Sequence, residues 1–173
     1  NLVLRARLRD IDGHYFDVFM GRLITNGWQL VQAPISPSIY SQRWYGGNAL
    51  LKGVTAPYTL VSLHASNYRG GSGPGTIFLD TLTAITPDRQ EILADSTTFA
   101  SWEVLEDLLN PGLNALEPSE TVTRPGANRS MAFSWSGSSS GLRGILPDGR
   151  SKGFIPALAN TALLEEADAE IGD

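Results

Sequence analysis

Residues 2–9 alternate without a break. Leu2, Leu4, Ala6 and Leu8 fall on one side of an extended chain, and Val3, Arg5, Arg7 and Arg9 on the other. A period of two with one apolar side is the pattern of a half-buried β-strand. The three arginines read as the solvated outer face of a sheet, with an anion-binding patch as the alternative. Asp12-Gly13 supplies a turn, and Tyr15–Met20 reads as the returning strand of a hairpin.

The same grammar continues along the chain. Asn26-Gly27 predicts a turn before a strand over Trp28–Ala33, which Pro34 and Pro37 end. Residues 34–57 read as a long loop carrying Tyr40, Trp44 and Tyr45, and loops of that length are usually functional or mobile. A strand is expected over Tyr58–Ser66, a glycine-rich connection over Asn67–Gly75 and another strand over Thr76–Thr86. About five strands separated by turn signals point to an antiparallel sandwich. Glycine and proline support this, at 18 and 10 of 173 residues. That is about 16%, against a usual ~12%.

The second half changes character. Phe99, Trp102, Leu105, Leu108 and Leu109 have helical spacing, so a helix is predicted over Thr97–Asn110, stopped by Pro111-Gly112. Residues 111–128 read as irregular. Strands are expected over Ser130–Ser136 and Leu142–Leu146, Phe154–Leu158 reads as an apolar strand or a lead into a helix, and a short acidic helix is expected over Asn160–Ala169. The division drawn from this pattern is a jelly-roll-like β-sandwich at 1–87 and an α+β appendage at 88–173.

Charge and composition exclude several chemistries. With no cysteine, disulfides, thiol catalysis and Cys-ligated metal sites are ruled out. A net charge of −5 argues against nucleic acid as a partner. No apolar run approaches the ~20 residues of a membrane span. Gly137-Ser138-Ser139-Ser140-Gly141 matches G-x-S-x-G, but the stretch that follows does not begin the helix a nucleophile elbow requires. His14 and His64 are the only possible general bases, and each reads as a turn or sheet residue. Gly70–Gly75 lacks both the lysine and the helix of a phosphate-binding loop. The chain is therefore expected not to be an enzyme.

Three features point to binding. Asp80 is expected mid-strand among apolar neighbours, where a carboxylate must be hydrogen-bonded, paired or bound to a cation; Ca²⁺ is the candidate ion. Tyr40, Trp44 and Tyr45 on one loop, with Tyr68 and Arg69 on another, are candidate ligand-binding residues, because aromatic rings stack on sugar faces. The alternative is that these rings cover an open side of the sandwich. Asn128-Arg129-Ser130 is a formal glycosylation sequon.

Two resemblances add to this reading. The stretches Leu4–Asp10 with Asp12-Gly13, Asn26–Val31, Pro57–Leu60 and Gly75–Leu82 resemble the later part of a jelly-roll, galactose-binding-like module. The earlier strands of such a module are missing. Phe154–Asn160, Leu163-Leu164 and Glu170–Asp173, with Arg143–Ile145 upstream, are similar to the extracytoplasmic region of FtsX/MacB-like ABC transporter permeases. That resemblance covers about a quarter of the chain. It implies a non-catalytic external domain on the extracytoplasmic side of a cell membrane, with the rest of a permease and its ATPase subunit as partners and a substrate or lipid-linked molecule as ligand. The chain begins at Asn1 and stops at Asp173 as if cut from a longer polypeptide. The alternative is a carbohydrate-binding module of a secreted glycan-active protein. Leu2–Arg9 is expected to be an uncovered edge strand, which makes a homodimer possible.

Overall fold

The computed structural model describes residues 2–23, 27–35, 42–45, 55–67, 74–105, 114–135 and 143–147. The chain is mainly β, and its strands pair antiparallel. It divides into two compact units with a boundary between Gly71 and Ser72.

In the first unit, β1 (Leu2–Arg9), β2 (Tyr15–Leu23), β3 (Gln42–Tyr45) and β4 (Thr59–Asn67) run in the order β3-β2-β1-β4. The hairpin between β1 and β2 forms where Asp12-Gly13 predicts it. Gly13 has φ +86°, a left-handed conformation that glycine adopts without steric cost. On one face Leu8, Phe16 and Val18 are buried together, with Ala33, Tyr58 and Leu60 against them. The Phe16 ring meets Tyr58 edge-on at 5.5 Å, an arrangement that matches the ring quadrupoles.

Here β1 corrects two expectations. It is not an edge, because β2 pairs one side of it and β4 the other. Its arginine face is not solvated either, since Arg5 and Arg7 are both buried. Alternation reports that two faces differ, but not that the polar one meets water. Two further elements differ. Residues 28–33 carry no strand, and the expected loop 34–57 contains β3, whose four residues pair with β2.

The second unit is built from short strands. β5 (Gly75–Leu79), β9 (Asn114–Ser119) and β10 (Ser130–Trp135) form a sheet in the order β5-β10-β9. Met131, Phe133 and Trp135 of the central strand are buried on one face. β6 (Leu82–Ile85) and β7 (Gln90–Ala94) make a hairpin, and β8 (Glu103–Leu105) pairs with β11 (Arg143–Leu146). The expected single strand over Thr76–Thr86 is thus two strands, broken at Asp80-Thr81. Both lie in the unit after Gly71, because β5 pairs with β10 and β6 with β7. β9 occupies residues expected to be irregular.

The expected helix over Thr97–Asn110 is replaced at its start by a 3₁₀ turn, Thr98–Ser101, and then by β8. The Asp95 carboxylate accepts the Thr97 and Thr98 amides and starts the turn. Trp102 leaves it extended, at ψ 151°. Phe99 and Trp102 are three apart, which fits a 3₁₀ turn as well as an α-helix, and their rings pack at 4.7 Å. Residues 106–110 of that expected helix lie outside the described residues, as do Phe154–Leu158 and Asn160–Ala169.

Candidate functional site

Five buried polar side chains of the first unit collect on the second face of its sheet. Register places Asp17 of β2, Arg7 of β1 and Ser62 of β4 in one row. His64 lies opposite Arg5 in the adjacent row. All five residues are buried, and Asp17, Ser62 and His64 are at most 2% exposed. Directly opposed residues on one face of antiparallel strands are close neighbours, so the row follows from register.

Arg7 donates to Asp17 twice, Nε to Oδ1 at 2.7 Å and Nη2 to Oδ2 at 3.2 Å. This bidentate geometry suits two desolvated charges. His64 Nε2 shares a hydrogen bond with Ser62 Oγ on its own strand. Nδ1 of the same ring is buried and has no hydrogen-bond partner. Burial, then the nearby Arg7 and Arg5 guanidiniums, push His64 well below the usual histidine range. Both effects disfavour a positive ring, so His64 is neutral at neutral pH.

A second cluster lies in the β1–β2 turn. One ligand atom each from Asp10, Asp12 and His14 comes within 4.8 Å of the others. By type these atoms suit a divalent cation. Asp10, however, already serves the turn. Its carboxylate accepts the His14 amide at 2.8 Å, approaches His14 Nδ1 at 3.2 Å and accepts the Thr55 amide at 3.4 Å. Burial alone would raise the Asp10 pKa, but the His14 and Thr55 amides and the His14 ring together bring it below the usual value. The D-x-D-x-H spacing is legible in the sequence, where Asp12-Gly13 signals the turn.

Asp80, the expected calcium ligand, sits at the break between β5 and β6 rather than mid-strand. It is only partly buried, and Arg124 Nε donates to its Oδ2. The Arg124 side chain is 54% exposed, and ion pairs of that exposure contribute little. Arg124→Ala is expected to lower stability by under ~1 kcal/mol in urea unfolding. A millimolar Ca²⁺ titration followed by melting temperature separates the two roles of Asp80. A rise that disappears in Asp80→Ala means the carboxylate binds the ion, and no rise leaves it to Arg124.

Of the other expected ligand residues, Trp44 and Tyr45 lie in β3, with Trp44 opposite Phe16 and Tyr45 opposite Tyr15. Tyr40, Tyr68 and Arg69 lie outside the described residues, as does the G-x-S-x-G stretch. The second unit carries an open, polar depression of about 490 Å³, lined in part by Ser96, Thr97, Glu120 and Arg124. Among the described residues no helix is long and apolar enough to cross a membrane. No protein-family model, curated protein or solved structure matches the chain.

Proposed function

We propose that this chain is a non-catalytic binding domain, the extracytoplasmic part of an ABC-type permease. The observation that supports the non-catalytic half is the state of Ser62 and His64. They form the one serine–histidine pair among the described residues, yet both are enclosed in the sheet, and no carboxylate orients the ring through Nδ1. Acyl transfer needs an accessible serine, a base oriented by a third group and an oxyanion hole. The permease half rests on the resemblance carried by Phe154–Asp173. In this reading ATP is hydrolysed by another subunit, and the domain contacts a substrate, a lipid-linked molecule or a partner protein.

A second reading, a carbohydrate-binding module, is favoured by β3. This strand is the last in its sheet order, and register sets Tyr45 opposite the half-buried Tyr15. Two aromatic positions side by side at a sheet edge suit a sugar face.

The gene and a glycan array test both readings. Apolar runs of about 20 residues flanking this segment in the full-length protein are expected for a permease. A flanking catalytic domain, with glycan binding lost in Tyr15→Ala, would replace that reading by the module. Ester or glycoside turnover by the purified chain that vanishes in Ser62→Ala would overturn the non-catalytic assignment.

A further inference from the structure

We propose that His64 makes the first unit's sheet a proton-triggered latch, closed while the ring is neutral and opened between β1 and β4 when the ring takes up a proton.

The geometry allows the neutral ring and has no place for the charged one. An imidazolium donates from both nitrogens and so needs two acceptors. Ser62 Oγ serves Nε2, and Nδ1 is buried with nothing to receive a second hydrogen. The charged neighbours compound this. From β1 come Arg5, directly opposite, and Arg7, beside Ser62. Both side chains are guanidinium cations. From β2 comes Asp17, whose two oxygens are held by Arg7. Position 43, opposite Asp17 on β3, is a third arginine. β4 itself contributes Ser62, which carries no charge. A proton on His64 would therefore place a third buried cation beside two others, with one nitrogen unsatisfied. Separation of β4 from β1 relieves both problems, because it returns the ring to water and distance from Arg5.

The sign follows from linkage. The ring binds its proton more weakly in the closed sheet than in the open one, where its pKa is about 6.5. Above that pH the opening constant is at its minimum. As pH falls below it, the opening constant rises by up to about tenfold per pH unit, until the closed-state pKa is reached. Asp10 acts in a different window. Its closed-state pKa is also lowered, from 3.8, so its contribution is lost only in stronger acid.

Two measurements test the latch. In the first, backbone hydrogen exchange is followed from pH 7.5 to 5.0, with intrinsic rates corrected. Protection of β1 and β4 is expected to fall by up to about tenfold per unit below pH 6.5. β10 of the second unit serves as the reference and should keep its protection. In His64→Gln the fall should vanish. A fall that persists unchanged in His64→Gln, or no fall in the parent, overturns the proposal. The second measurement needs no variant. The chain has two histidines, so their ring carbon–proton signals are resolved by NMR. The folded-state His64 signal should stay neutral as pH is lowered, while an unfolded or open species gains intensity. A folded-state signal that titrates smoothly near pH 6.5 with the sheet intact would end the latch.

Discussion

Asp17→Ala is expected to cost about 3–5 kcal/mol in urea unfolding, the penalty for removing one partner of a buried ion pair. The reason lies in Arg7. Its side chain is 3% exposed, and its Nε and Nη2 both donate to Asp17. Without the carboxylate, a guanidinium that cannot lose its proton stays in the sheet with its countercharge removed. The fold then keeps the desolvation cost and loses the attraction that offset it. Removing both charges should behave differently. An Arg7→Met, Asp17→Leu double variant is expected to recover most of the loss, since apolar residues of similar volume often replace a buried pair without cost. If Asp17→Ala costs less than about 1 kcal/mol, the pair is behaving as an exposed one, and the burial of this face is wrong.

Gly75→Ala is expected to cost about 1–3 kcal/mol, the usual range for overpacking a tight contact. Gly75 stands opposite Trp135 across β5 and β10. A Cβ there would overlap the indole at Cζ2 and Cε2. Trp135 is 5% exposed and packs on Phe133 at 5.6 Å, so it has little room to retreat. The clashing atoms belong to the six-membered part of the indole. In a Trp135→Phe background Cζ2, the nearer of the two, has no counterpart, and Gly75→Ala should cost less there. The measurement is the double-mutant cycle, in which contacting residues couple by about 0.5–3 kcal/mol. Additive effects would show that the ring does not lie over the glycine.

The function argued above depends on the same packing. Ser62 and His64 lie two apart on β4, with both side chains buried. Inside the sheet they are a hydrogen-bonded pair next to two arginines. The choice between core and recognition for Trp44 is sharpened in the same way. Register puts position 44 opposite Phe16, which is fully buried. The same register puts position 45 opposite the half-buried Tyr15.

What the sequence determined by itself was local. The alternation in residues 2–9, the Asp12-Gly13 turn, the apolar face of Ser130–Trp135 and the short strand ending at Leu146 each follow from neighbours within a few positions. Together they fix a mainly β chain of antiparallel strands. What tertiary structure decided was everything that depends on distant partners. β4 lies some fifty residues from β1, and its arrival turns an expected edge into the centre of a sheet and sets His64 and Ser62 opposite Arg5 and Arg7. Asp17 neutralises Arg7 from the neighbouring strand, and His64 meets Arg5 only through register. Arg124 reaches Asp80 across 44 residues. Helical spacing does not decide the element at Thr97–Leu105, because Phe99 and Trp102, three apart, fit one 3₁₀ turn equally well. Periodicity reports which side chains share a face. Which faces are covered, and by whom, is set by contacts between segments that the local pattern does not encode.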